Sequence, residues 1–183
     1  ERHLKIGIDS LKQLINDGHT VVGVDNMNNA YDLRMKEYRL KRLQALAGFD
    51  FHKLDISDKT IVEHFKGEKI DGVINLAAWA GVRVSVKNPW IYVDSNMTGT
   101  LNMLELCRHA SIKKFIVAST SSIYGENPPY PTPESASSSE PLQPYAASKK
   151  GAEAMTHAYH HLYDIDATVV RFFTVYGPAG RPD

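Results

Sequence analysis

GVINLA (residues 72–77) and KFIVAS (residues 114–119) decide the fold of this chain. Each run is short and apolar almost throughout, so each reads as a strand buried on both faces. Between them Asn88-Pro89 starts a helix that runs to about Ala110. Strand, helix, strand at this spacing is a parallel crossover unit. The alternation extends outward in both directions. Toward the N-terminus lie a helix over 10–17 (Leu11, Leu14 and Ile15 at helical spacing, stopped by Gly18-His19) and a strand over 20–25 (TVVGVD). A charged helix over 32–46 follows, with Leu33, Leu40, Leu43 and Leu46 as its apolar stripe, then a strand over 50–55 and a short helix over 59–66. Toward the C-terminus come a helix over 145–164 and a strand over 167–174 (ATVVRFFT). The expected fold is α/β, a doubly wound parallel sheet with right-handed crossovers and ligands gathered at the carboxyl ends of the strands.

Composition narrows the partners. The 183 residues suit one domain or one lobe of a larger protein, and 43% hydrophobic content is ordinary for a globular chain. Basic and acidic side chains balance at 21 each, which argues against nucleic acid or an anionic membrane as partner. No apolar run approaches a membrane span. The single Cys107 follows Leu104 on an apolar helical face, so it reads as a buried thiol, and the absence of any internal disulfide fits the cytoplasm.

Chemistry gathers at the strand ends. Tyr145 and Lys149 stand four residues apart in a helical run, hence on one face. An ammonium there stabilises a phenolate, which lets a Tyr act as a base near neutral pH. Asp25 either accepts from the two ribose hydroxyls of a dinucleotide, disfavouring a 2′-phosphate, or merely turns the chain before Asn26. Asp55-Ile56 could meet an adenine by edge and face, and the small residues of Leu76-Ala77-Ala78 would let a cofactor approach closely. Ser119-Thr120-Ser121-Ser122 supplies hydroxyls before the Tyr145 helix. The run 127–144 (NPPYPTPESASSSEPLQP) is too rich in Pro and Ser for regular structure and reads as a loop over the site. His157, His160 and His161 read as a solvated helix face, since the partners of a zinc site are missing; Trp79 and Trp90 read as packing.

HTVVGVDN, NLAAWAGVR, YVDSNMTGTLNMLE, ASTSSIYG, YAASKK and RFFTVYGPAGRPD, in this order from Gly18 to Asp183, resemble the extended short-chain dehydrogenase/reductases. Within them the chain is most similar to nucleotide-sugar epimerases of the UDP-glucuronate 4-epimerase type. The resemblance implies a Rossmann-like NAD-binding domain over residues 1–183. Tyr145 would be general base and acid on the sugar 4-hydroxyl. Lys149 would hold the nicotinamide ribose and lower the Tyr pKa, and Thr120 would be the hydroxyl partner of the 4-oxygen. The implied cofactor-binding set is Gly7, Asp25, Asn26, Asp55, Ile56, Leu76, Ala77, Ala78, Ala80, Asn96, Tyr145, Lys149 and Phe172. Arg83, Thr120, Ser121, Ser122, Thr174 and Arg181 would face the UDP-sugar, and no metal is implied. Sister dehydratases carry Asp-Glu after the Thr, and decarboxylases carry Glu at the place of Ser122; neutral serines here favour epimerisation over elimination. Galactose-type epimerases usually carry Asn where Thr174 stands. A homodimer through helices 89–110 and 145–164 is a further implication.

Family members begin with a strand and a Gly-x-x-Gly-x-x-Gly turn. Here Ile6-Gly7 matches only the end of that motif, and the two earlier glycine positions fall on Glu1 and Leu4. Residues 3–8 could pass as a strand, though no glycine turn follows it. The expected sheet is therefore incomplete at the N-terminus, lacking a central strand between 20–25 and 72–77, and the C-terminal lobe over the UDP is absent. A chain truncated at both ends in this way is expected not to be a competent epimerase by itself; a dinucleotide-fold binding module is the reading from another class.

Overall fold

The computed structural model describes residues 2–176, with side chains from Gly7 onward. The chain opens with helix α1 (Arg2–Asn16), so residues 3–8 are helical rather than a strand. The reason is periodicity: the first turns run without a break into the spacing of Leu11, Leu14 and Ile15. Gly18 closes the helix at φ 89°, a left-handed conformation that suits glycine, while His19 N donates to Leu14 O at 2.9 Å.

Five strands alternate with helices: β1 (Val21–Val24), α2 (Leu33–Gln44), β2 (Phe49–His52), α3 (Thr60–Phe65), β3 (Gly72–Asn75) and α4 (Val82–Lys87). After α5 (Trp90–Tyr92) a π-helical segment (Val93–Thr98) leads into α6 (Gly99–His109), then β4 (Lys114–Thr120) and a 3₁₀ turn (Ser121–Tyr124). Helix α7 (Pro144–Tyr163) and β5 (Asp166–Phe172) complete the described elements. Asp32 caps α2, accepting from Arg34 N at 3.0 Å. Residues 125–143 form the irregular loop expected from their Pro and Ser content.

Every strand pair is parallel, but the sheet is in two pieces. β1 pairs with β2, in register Val21 to Phe49; β3–β4–β5 form the other piece, with Gly72 beside Lys114 and Lys114 beside Asp166. No ladder joins β1 to β3 among the described residues. A cleft of about 760 Å³ lies where a strand between them would run. Val22 of β1 is 48% exposed and Ile74 of β3 is 43% exposed, unusual for strands of a parallel sheet.

The main core packs α3 and α6 against β4 and borders the cleft at Ile61, Phe65 and Leu106. Ile61 and Phe65 of α3, Leu104 and Cys107 of α6, Phe115 and Val117 of β4, and Ile165 before β5 are all buried together. Burying each large side chain contributes roughly 1.5–3 kcal/mol. Gly99 begins α6 where a Cβ would sit 2.7 Å from Ile56 Cδ1, so only glycine lets Ile56 reach that helix without displacement. Cys107 is buried as expected, and burial pushes its thiol up to about 12. Trp90 departs from its expected packing role, being 75% exposed. In α2 the inner face holds Lys36 and Arg39, both buried, while Leu33 of the expected apolar stripe is exposed.

Candidate active site

β4 ends on Thr120, whose Oγ1 accepts from Ser122 N and donates to Ser122 Oγ, each at 3.2 Å. This cap turns the chain sharply and gathers the hydroxyls of Thr120, Ser121 and Ser122 at the carboxyl end of the sheet. Tyr145, Ser148 and Lys149 share the buried face of α7. Lys149 is 2% exposed, and its Nζ donates to Ala118 O at 2.9 Å, two residues before Thr120. Burial pulls its pKa down to about 8, with no acidic partner opposing it. A buried ammonium of this kind favours any anion formed beside it. The Tyr145 ring meets Tyr92 edge to face, with centroids 6.0 Å apart, and the Tyr92 hydroxyl bonds to the carbonyls of Ala80 and Gly81 at 3.2 and 2.9 Å.

A buried polar chain ties these parts to the cofactor side. Asn96, in the π-helical segment, is fully buried. Its Oδ1 accepts from Trp79 N at 2.9 Å, and its Nδ2 donates to Trp79 O at 3.1 Å and Ser148 Oγ at 3.0 Å. Ser148 Oγ in turn donates to Tyr145 O at 2.8 Å. From the other end, Asn75 Nδ2 donates to Thr100 Oγ1 at 3.1 Å, and Thr100 Oγ1 donates to Asn96 O at 2.7 Å. Asn96 thus stands behind the 76–80 stretch and fixes it to α7, with its amide spent inside the protein. A π-helical turn inserts one extra residue into the helix, a local change found often at functional sites.

The cleft between β1 and β3 is lined by Gly7, Asp25, Asn26, Asp55, Ile56, Leu76, Ala77 and Ala78, all expected on the cofactor side. Asp25 does turn the chain: its Oδ1 accepts from Met27 N at 2.6 Å and from Lys36 Nζ at 3.3 Å. Asp55 accepts from Asn26 Nδ2 at 2.8 Å and from Ser57 Oγ at 2.7 Å. Burial works against its charge, yet these bonds hold the Asp55 carboxyl below the usual range. Phe172 stands beside Thr120 in the β4–β5 ladder. Arg83 is exposed on α4 and Thr174 exposed past β5; neither lines the cleft, nor do Ala80, Asn96, Thr120, Ser121, Ser122, Tyr145, Lys149 and Phe172, and Arg181 lies outside the described residues.

The sequence matches the model of the NAD dependent epimerase/dehydratase family over residues 6–183. The chain belongs to that family. A UDP-glucuronate 4-epimerase of Thermodesulfobacterium geofontis is 54% identical over 175 residues, 93% of this chain and 53% of the relative. The solved UDP-glucuronic acid 4-epimerase of Bacillus cereus, in complex with UDP-glucuronic acid and NAD, superposes with a TM-score of 0.85 at 36% identity, over 96% of this chain and 55% of that one. A dTDP-glucose 4,6-dehydratase of Streptomyces venezuelae, solved with NAD, superposes with a TM-score of 0.85 at 27% identity, over 97% and 55%. The chain spans about half the length of these proteins.

For a member of an NAD-dependent family, the cleft fits the cofactor. At the carboxyl ends of the strands its lining includes the carboxylates of Asp25 and Asp55 and the small side chains of Ala77 and Ala78. Several supporting residues carried no sequence signal. Ser148, inside the Tyr-x-x-x-Lys run, could have been found from its place on the same helical face. Glu153, Arg171 and Lys36 could not, because a charged residue in a helix or strand reads as solvated until its partner is located. No cluster of His, Cys, Asp or Glu able to hold a metal occurs among the described residues, and no helix there is long and apolar enough to cross a membrane.

Proposed function

We propose that this chain carries the catalytic half of an epimerase that inverts C4 of UDP-glucuronate to give UDP-galacturonate. The observation that carries the reading is the meeting of three things at the carboxyl end of β4, the middle strand of its sheet. Lys149 is buried against the strand that ends at Thr120, Tyr145 lies on the same helical face, and the turn after Thr120 carries the neutral hydroxyls of Ser121 and Ser122, where the resemblance expects carboxylic acids in sister enzymes.

Tyr145 takes the proton of the 4-hydroxyl as the C4–H bond breaks, and returns one when the hydroxyl reforms. Lys149 stabilises the phenolate form of Tyr145 and reaches the adjacent ribose. Thr120 holds the 4-oxygen in both hands of the sugar. NAD, when bound, takes up the hydride from C4 and gives it back to the opposite face. Asp25 and Asp55 would hold its adenosine half, and Leu76, Ala77 and Ala78 would leave room for its backbone.

A 4-keto sugar bearing a C6 carboxylate is a β-keto acid and is prone to lose carbon dioxide. Neutral hydroxyls at Ser121, Ser122 and Thr174 can bind that carboxylate without protonating the ring. Pairing of two copies through the α5–α6 and α7 helices is proposed from the resemblance alone.

The test is turnover of UDP-glucuronate with NAD, by the chain itself and by a hybrid in which it replaces the matched residues of the Thermodesulfobacterium relative. UDP-galacturonate is expected from the hybrid, and Tyr145→Phe should lower kcat by 10²-fold or more. Release of carbon dioxide with a UDP-pentose would replace this reading by a decarboxylase. A hybrid that folds, binds NAD and leaves UDP-glucuronate untouched would refute the substrate.

A further inference from the structure

One part-buried ion pair links the segments around the hydroxyl turn, and the proposed chemistry makes no use of it. Glu153 of α7 is 7% exposed, one turn beyond Lys149. Its two carboxylate oxygens accept from Arg171 Nε and Nη2 of β5, each at 3.0 Å. Arg171 has further donors to place. Its Nη1 donates to the Tyr124 hydroxyl at 3.1 Å and to the Glu134 carbonyl at 2.9 Å, and the guanidinium stands 5.2 Å from the Tyr124 ring centre. Lys150, beside Lys149, reaches Glu153 at 3.3 Å and the Ser138 hydroxyl at 2.7 Å.

Four separate segments therefore converge on one fork. Tyr124 closes the 3₁₀ turn that Thr120 opens, so holding Tyr124 fixes the far end of the turn bearing Thr120, Ser121 and Ser122. Glu134 and Ser138 belong to the loop 125–143. Glu153 carries the helix of Tyr145 and Lys149. We propose that Arg171 and Glu153 are positioning residues that lock the hydroxyl turn and the 125–143 loop in one register with the Tyr145–Lys149 helix.

The geometry requires arginine. A planar guanidinium spends two donors on a carboxylate in parallel and keeps another to reach two oxygens elsewhere; an ammonium is a point charge and cannot cover both directions. Opposing burial, the Arg171 fork also holds the Glu153 carboxyl below its usual range, so the pair stays ionised across neutral pH. Because it concerns the arrangement of the proposed epimerase residues, this inference rests on that function for its meaning, though not for its measurement.

Amide hydrogen exchange of this chain, with its thermal midpoint, reads the proposal directly. In Arg171→Lys, amides of residues 121–138 should exchange at least tenfold faster while those of Phe115–Val117 in β4 stay within twofold. The double variant R171M/E153L removes both charges, so it should regain the thermal midpoint without regaining protection of the loop and turn. If the double variant restores loop protection together with stability, the pair is only a structural salt bridge and the proposal fails. It fails equally if Arg171→Lys leaves residues 121–138 unchanged, or loosens β4 as much as the loop. Should Arg171→Lys not fold, the double variant alone decides. In the hybrid enzyme, Arg171→Lys should lower kcat at least tenfold with KM for UDP-glucuronate within threefold, and a loss confined to KM would argue against positioning. A wild-type hybrid without turnover would sink the epimerase reading and leave the exchange result standing.

Discussion

Phe115 and Leu104 are wholly buried in the β3–β4–β5 half, whereas in the β1–β2 half Val22 is half exposed and the inner face of α2 carries Lys36 and Arg39. Both halves are parallel α/β structure, yet only the first is closed around a core. Asn75, Thr100, Asn96 and Ser148 also bond one to the next inside it, ending on the carbonyl of Tyr145. The second half has two strands of four residues each, and its inner strand β1 pairs on one edge only among the described residues. The difference teaches that the residues proposed to handle the proton rest on the self-sufficient half, while Asp25 and Asp55, proposed for the adenosine, lie at the ends of β1 and β2, beside the cleft.

The largest contrast should come from the cores. Phe115→Ala should lower stability by about 3–5 kcal/mol in urea unfolding, and Phe49→Ala, whose ring is only partly buried, by about half as much. Equal losses would break the comparison. Next comes a change of opposite sign. Burial lowers the folded pKa of Lys149 to about 8, so the unfolded chain binds that proton more tightly. Stability is therefore penalised below about pH 8 and recovers as pH rises toward the unfolded value of 10.5. Lys149→Met should stabilise the fold by on the order of 3 kcal/mol at pH 7, with the gain fading by pH 10.5. Urea midpoints at the two pH values check this, and a destabilised Met variant at pH 7 would mean the lysine is structural.

Asn96→Ala should cost about 2–3 kcal/mol, because Trp79 N and O and the Ser148 hydroxyl lose a partner in a buried setting. Exchange measurements should place that loss at residues 76–80 and the start of α7, both within the β3–β4–β5 half. The smallest effect sharpens the contrast most finely. Asp32→Ala removes the cap of α2 and should cost about 1 kcal/mol, speeding exchange in α2 and β1–β2 and leaving β4 unaffected. Spread of that effect into β4 would show that the halves unfold as one unit.

How much was legible in the sequence follows the same division. KFIVAS gave its strand because residues buried on both faces must be apolar, while GVINLA gave its strand although Ile74 is exposed on the cleft side, and Tyr145, Lys149 and Thr120 were proposed from one helical spacing, one strand end and the resemblance. The start of α1 was obscured, since residues 3–8 are too few to separate a strand from a helical turn. The π-helical segment at Val93–Thr98 carries no compositional mark, because it changes hydrogen bonding and not residue type. Lys36, Arg39, Glu153 and Arg171 read as surface charges, and only folding brings Glu153 to Arg171 across 18 positions. Arg83 and Thr174 show the converse: the resemblance gave them a substrate role, and on this half alone they are exposed outside the cleft.

The central claim is that Tyr145 moves the proton of the 4-hydroxyl while the hydrogen on C4 leaves and returns as hydride. UDP-glucuronate carrying deuterium at C4, turned over by the hybrid enzyme with NAD in ordinary water, tests it most directly. The account predicts UDP-galacturonate that keeps its deuterium at C4, and no label in the solvent. Deuterium released to water, or a product that has lost carbon dioxide, would contradict it.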